Sequence, residues 1–256
     1  MSCNQHLPII FKEFLNRLIY QNMIIMYNIR NFKWMHFVST FSYSLLGDKM
    51  YKKIGIISRE QIQAKSKYKA FNSEIVDIIQ KYNCIPIGII VNFDTNPDLE
   101  FDKIKKIIDF CDAIILQGGS NLYAIDQKIV KYLYDRDIPT LGICLGMQTM
   151  AITLGGKLQL LPKLNHDQTN HYVHPINILK DTLLYHIMKE NQIIVNSRHK
   201  EAIVNTSLLV GAYSDDHVIE EVEDPTKRFF LGVQWHPESI PNDKNSLKLF
   251  DYFFKI

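Results

Sequence analysis

Two glycines flank a cysteine where a buried strand has to turn into a helix. Gly142-Ile143-Cys144-Leu145-Gly146 follows the apolar segment Ile138-Pro139-Thr140-Leu141 and precedes a helical stretch over residues 147–154, halted by Gly155-Gly156. This is the sequence form of a nucleophile elbow, a strand-to-helix turn that strains its central residue and leaves room only for small residues two positions to either side. A helix start also presents free N–H groups and positive potential, a setting that suits a thiolate. An isolated cysteine is more often simply packed. The pentapeptide therefore gains meaning only if the chain also supplies a base and a group to orient it.

Both stand near the end of the chain. Phe229-Phe230-Leu231-Gly232-Val233-Gln234-Trp235 is an apolar, β-prone run that leads into His236-Pro237-Glu238. Proline biases the residue before it toward extended geometry, and extended residues two apart point the same way. His236 and Glu238 are therefore expected on one side, with the carboxylate holding the imidazole's tautomer. A third element, Asp112-Ala113-Ile114-Ile115-Leu116-Gln117-Gly118-Gly119, is a short apolar strand closing in two glycines. In a parallel sheet the carboxyl ends of the strands gather along one edge, so this loop and the elbow are expected to share a crevice. The N–H groups of Gly119 and Leu145 would then form an oxyanion hole.

From residue 52 onward, apolar strands alternate with amphipathic helices. Strands are expected over 54–58, 85–91, 113–116 and 138–143. Helices are expected around Phe71, Ile75, Ile78 and Ile79 and over 99–110 and 126–134. Such a βαβ series predicts a three-layer α/β sandwich with a mostly parallel central sheet. After Gly156 the pattern shifts to shorter strands, over 193–195, 208–212, 218–222 and 230–234, and residues 243–254 read as a closing helix.

The three ordered motifs, Gln117-Gly118-Gly119, Gly142-Ile143-Cys144-Leu145-Gly146-Met147-Gln148 and Gly232-Val233-Gln234-Trp235-His236-Pro237-Glu238, resemble the class I glutamine amidotransferase superfamily. Within it the chain looks most like the γ-glutamyl hydrolase branch, peptidase family C26. That finer likeness rests on His174-Pro175-Ile176, on residues 195–202 (Val-Asn-Ser-Arg-His-Lys-Glu-Ala) and on Asp215-Asp216-His217-Val218-Ile219-Glu220. It spans roughly residues 52 to 256. The resemblance implies a flavodoxin-like fold and a Cys144-His236-Glu238 triad acting on a small γ-glutamyl substrate without metal or organic cofactor. It also implies substrate contacts from Gly118, Gln148, Arg198 and His199. Leu145 stands where that branch usually carries arginine, and many ammonia-supplying amidotransferase domains have leucine there. The loop after Gly119 is also short for the branch. Three readings stay open: the first is a free-standing hydrolase, and the second a glutaminase subunit feeding a separate synthase partner. A catalytically idle binding module is the third.

A formal charge of +2 and the absence of a basic tract give no push toward nucleic acid or a membrane surface. Cys3, Cys84, Cys111 and Cys144 form no C-x-x-C pair, so neither a zinc site nor a disulfide framework is indicated and a reducing cytoplasm is expected. Cys84 and Cys111 each precede a strand and read as packed. His166, His171 and His174 fit no strong ligand spacing and read as a turn region. Residues 1–49 break the rhythm and read as an N-terminal appendage, with 50–256 as the catalytic domain and Met50 as the expected natural start. No run there is long and apolar enough for a membrane span, and no signal-peptide pattern appears.

Overall fold

A computed structural model describes residues 51–161 and 166–256; the expectations for residues 1–49 and for a start at Met50 lie outside the described residues. Nine strands form one mixed sheet in the order β4-β1-β5-β6-β13-β12-β11-β8-β9. The first five in that order are β4 (Ile85–Ile89), β1 (Lys53–Ile57), β5 (Ala113–Leu116), β6 (Thr140–Ile143) and β13 (Phe230–Val233). They run parallel. The remaining four, β12 (Ile219–Glu223), β11 (Leu209–Ser214), β8 (His174–Ile178) and β9 (Gln192–Val195), continue antiparallel.

Strand alternation divides the core in two. Ile54, Ile56, Ile115, Leu141 and Ile143 face a cluster with Ile75, Ile78 and Ile79 of α1 (Ser73–Lys81). The same cluster takes in Leu184 and Ile187 of α5 (Leu183–Met188) and Leu249, Phe250, Phe253 and Phe254 of α6 (Lys244–Lys255). Ile57, Ile114 and Leu116 face the other way. There they meet Ile104 and Ile108 of α2 (Pro97–Phe110), Ile125, Ile129 and Leu133 of α3 (Ala124–Asp135), and Met147 and Met150 of α4 (Leu145–Thr153). The result is a sheet between two helical layers. Helix starts follow their caps: the side chains of Asn72, Asn96 and Asp243 each accept backbone N–H groups of the first turn, with Pro97 opening α2.

The expected parallel strands and the helices between them are present, with no end displaced by more than two residues. Elements outside that series had no comparable signal. A hairpin of β2 (Arg59–Gln63) and β3 (Ser66–Ala70) sits between β1 and α1. It turns through Ala64 and Lys65, both at positive φ, without the glycine or asparagine that marks such turns. β7 (Lys157–Leu160) pairs with β10 (Glu201–Asn205) in a second small sheet, and β8 and α5 also belong to the less regular second half.

The topology assembles the site. β5, β6 and β13 are neighbours, and β13 runs parallel to β6 with Val233 opposite Ile143. Residues following these three strands, Gly118-Gly119, Cys144 and His236, therefore emerge along one sheet edge.

Candidate active site

Cys144 lies between β6 and α4 at φ 51°, ψ −105°, a backbone geometry that side chains rarely adopt. Its N–H donates to Val233 O at 2.8 Å, and its carbonyl accepts from Gln148 N at 3.0 Å, so strand and helix hold it from both sides. The flanking glycines answer to crowding. A Cβ on Gly146 would strike the Leu116 carbonyl oxygen, and one on Gly142 would come within 2.8 Å of Met147 N. The elbow can close only with both side chains missing. Cys144 is buried.

His236 stands next to it. A Cβ on Gly118 would lie 2.9 Å from His236 Cε1 and 3.6 Å from Cys144 Cβ, which puts the thiol and the imidazole beside the same glycine. His236 Nδ1 is 2.7 Å from Glu238 Oε1, with the carboxylate fully buried. The expected route to this pair needs correction. His236 and Glu238 do not alternate along an extended chain, because Pro237–Ser239 is a 3-10 turn that swings the carboxylate back onto the ring. Proline at the first position of that turn loses no hydrogen bond there. Burial alone would drive the imidazole toward its neutral form. The Glu238 charge and the hydrogen bond with Cys144 outweigh it, and the pKa rises from 6.5 to about 10. Cys111 behaves oppositely, its thiol pushed up to about 11 by burial, and burial also raises Cys84.

Around this centre the backbone is held by amides. Asn196 brackets His236, its Nδ2 donating to His236 O and its Oδ1 accepting from His236 N, each at 2.7 Å. Gln117 ties three segments together: Nε2 donates to Ile57 O (2.7 Å) and Ala70 O (3.1 Å), while Oε1 accepts from Asn72 N (2.8 Å). Asn72 Nδ2 in turn donates to Glu238 Oε1 at 3.4 Å. Gln234 Nε2 approaches Cys144 Sγ at 3.6 Å. Gly119 packs against Leu145 and the Arg59 stem, each 3.1 Å from where its Cβ would stand, and Arg59 is anchored by a buried 2.8 Å ion pair to Asp126.

The other expected contact residues are placed less simply. Gln148 is buried, and its Nε2 donates to Glu201 O (3.0 Å) and Gln234 Oε1 (3.1 Å), making it a brace behind Gln234. Arg198 is exposed and donates to Ser239 Oγ, beside Glu238. His199 is buried among His166, His174 and Glu220. The expectation that His166 and His174 belong to a mere turn region is therefore corrected. Both pack into that group, while His171 stays exposed. Asn196 and Gln234 carried no chemical signature of their own in the sequence. Their only cue was position, two residues before His236 for Gln234 and within the 195–202 segment for Asn196.

Residues 123–238 match the Peptidase C26 family model. The chain is 26% identical over 235 residues to a CTP synthase of Nostoc punctiforme, covering 76% of this chain and 43% of that protein. It is 28% identical over 234 residues to protein NtpR of Enterococcus hirae, covering 78% of this chain and 97% of that one. Against the CTP synthases it thus aligns with less than half of their length. Among solved structures, the glutaminase domain of Trypanosoma brucei CTPS with bound acivicin superposes with a TM-score of 0.62 at 19% identity, over 80% of this chain and 94% of that one. A glutamine amidotransferase of Thermotoga maritima superposes at 0.54 and 15% identity, over 80% and 90%. No helix among the described residues is long and apolar enough to cross a membrane.

Proposed function

Since this chain carries a class I glutamine amidotransferase-like domain, we propose that it hydrolyses the γ-glutamyl amide bond of glutamine or of a γ-glutamyl amine through a thioester on Cys144. The observation that carries this reading is the strained Cys144 at the mouth of α4 beside a His236 that is locked to buried Glu238 at 2.7 Å. The Cys144 thiolate attacks the side-chain amide carbonyl, and the oxygen's developing charge is met by the N–H groups of Gly119 and Leu145. Each such donor is worth about 3 kcal/mol of barrier. Collapse of the tetrahedral adduct breaks the C–N bond, and His236 delivers its proton to the departing amine. His236 then takes a proton from water as the water attacks the thioester, glutamate leaves, and the proton remains with the Cys144–His236 pair. Gly118 lines the gap between nucleophile and base, and Arg198, at the rim next to Ser239, would engage the substrate carboxylate. Gln148 acts on the substrate through Gln234. A reducing compartment such as the cytoplasm keeps the thiol competent.

A second reading has its own support. Leu145 follows the nucleophile, and the chain aligns with a CTP synthase and superposes on the glutaminase domain of another. A glutaminase unit that passes ammonia to a separate synthase would fit both facts. Purified protein offered glutamine and a panel of γ-glutamyl amines decides the matter. Glutamate released without a partner, and lost in Cys144→Ala, supports the free-standing hydrolase. Release that requires a second protein supports the subunit. Release undiminished in Cys144→Ala ends both.

A further inference from the structure

His166, His174, His199 and Glu220 come from four separate segments, yet one ligand atom from each lies within 4.8 Å of all the others. His166 precedes β8, His174 opens β8, His199 lies between β9 and β10, and Glu220 is in β12. Glu220 is fully buried, His166 and His199 nearly so, and His174 is mostly covered. His166 Nδ1, His174 Nε2 and His199 Nε2 stand 3.4, 3.6 and 3.8 Å from Glu220 Oε1.

The outer nitrogens decide what the inner ones present. His166 Nε2 meets the Asp216 carboxylate at 3.0 Å, His174 Nδ1 meets Pro175 O at 3.2 Å, and His199 Nδ1 meets Glu201 O at 3.0 Å. Each of these partners is an oxygen acceptor, so each outer nitrogen carries the proton. In the neutral ring the inner nitrogen is then a bare lone pair. Ser197 Oγ, 3.4 Å from His166 Nδ1, already donates its own proton to His166 O. With all three rings neutral, three lone pairs converge on a carboxylate. Among the described residues neither Glu220 oxygen has a hydrogen-bond partner, nor has His174 Nε2 or His199 Nε2. Such a group buried without a compensating positive charge is costly.

We propose that these four residues bind one divalent transition-metal ion, of which zinc suits the donor set best. Three imidazole nitrogens and a carboxylate oxygen are a borderline, four-coordinate set. Metal–ligand bonds of 2.0–2.1 Å give a tetrahedron with edges of about 3.3 Å, close to the spacings at Glu220. The outer-nitrogen contacts to Asp216 and to backbone carbonyls are the outer-shell partners that orient metal-bound histidines. With four protein ligands and deep burial the site is structural, leaving no position for a reacting water. Its ion would cross-link the antiparallel half of the sheet to the catalytic wall. Glu220 O accepts from Gln234 N at 2.8 Å, two residues before His236, and His199 is three residues from the Asn196 bracket.

The test uses the full chain, purified without a polyhistidine tag and dialysed, with metal content measured by mass spectrometry. About one equivalent of zinc per chain is expected. Zinc retained by Cys144→Ala separates this site from the fate of the proposed catalysis. Glu220→Gln should lower the content at least tenfold. Asp216→Asn, on the surface, should weaken zinc affinity about 10-fold or more. His171→Ala, outside the cluster, should keep the full equivalent. Cobalt loaded in place of zinc should give the intense visible absorption of a four-coordinate ion. A strong chelator should lower the melting temperature, and added zinc should restore it. Should Glu220→Gln not fold, the stoichiometry, the cobalt spectrum and the chelator response of the unaltered chain still decide. The proposal is overturned if that chain holds less than a tenth of an equivalent after incubation with excess zinc and melts identically with and without chelator. Imidazolium protons on all three histidines at neutral pH would overturn it as well.

Discussion

Two buried histidine–carboxylate groups lie a few residues apart along β12 and β13, and they are wired in opposite senses. At His236 each ring nitrogen has a matched neighbour, Glu238 on Nδ1 and the Cys144 sulfur on the other side, so a proton placed on the ring is stabilised. Around Glu220 the histidines turn their outer nitrogens to Asp216, Pro175 O and Glu201 O, so that in the neutral rings the inner faces carry no hydrogen. The first arrangement moves a proton and the second calls for a cation. Burial is similar in both, so the hydrogen-bond partner of the far nitrogen assigns the chemistry.

The largest effect expected from breaking this contrast is at His236. His236→Ala should lower kcat/KM for glutamine by about 10³-fold, the upper part of the range for losing a general acid–base group, while zinc content stays unchanged. Steady-state assays beside metal analysis check both halves. A His236→Ala protein that loses its metal would show that the two groups are one unit.

Next comes Glu238→Gln, which keeps the shape of the side chain but removes the charge that supports the imidazolium. A loss of about 10²-fold in kcat is expected, within the acid–base range. The pH profile is the sharper readout. With the pKa of His236 raised to about 10, the protonated ring persists across neutral pH and the alkaline limb of kcat/KM falls near pH 10. In Glu238→Gln that limb should move to lower pH. The stability sign agrees. A histidine whose folded pKa is raised contributes stabilisation that is complete below its unfolded value of about 6.5 and is lost as pH climbs through about 10. An alkaline limb at the same pH in both proteins would remove Glu238 from its role.

What the sequence disclosed follows the same division. The parallel half was legible because each element announces itself locally: fully buried four-residue strands such as Ala113–Leu116, helices with a single apolar face, and glycines fixed by collisions with Leu116 and Met147. Cys144 and His236 follow two such strands, so their meeting could be read from topology. The histidine group was hidden because its ligands are spread over residues 166–220 and only antiparallel register brings them together. Spacing rules look for ligands on one turn or one helix. The β2–β3 hairpin was hidden for another reason, its strands being largely polar and exposed.

Asn196 joins the two groups, and Asn196→Ala is expected to have an intermediate effect. It removes both 2.7 Å hydrogen bonds to the His236 backbone. A net loss of about 1–2 kcal/mol is expected, since each such bond contributes roughly 0.5–1.5 kcal/mol. If the loss falls on the position of His236, kcat drops about tenfold with KM little changed, because 1.4 kcal/mol corresponds to a factor of ten. A drop in melting temperature without any change in kcat would assign Asn196 to the scaffold alone.

The smallest expected effect concerns the residue next to Glu220. Successive strand residues face opposite sides of a sheet, and among the described residues Glu221 does not belong to the histidine group. Its pKa is raised well above 4.5, first by complete burial and then by the nearby charge of Glu223. Glu223 itself accepts the first N–H groups of α5, from Leu183 at 2.7 Å and Leu184 at 3.0 Å. Glu221 is thus held as the neutral acid. A raised folded pKa makes its contribution to stability complete below about pH 4.5 and progressively lost as pH rises toward the folded value. Glu221→Gln, neutral at every pH, should flatten that slope and leave the melting temperature at pH 8 equal to or a few degrees above that of the parent, on the scale of about 2–4 °C per kcal/mol. Melting curves from pH 5 to 9 measure it. Parallel curves for the two proteins would mean that Glu221 titrates normally and that the difference between these neighbouring glutamates lies only in which groups they face.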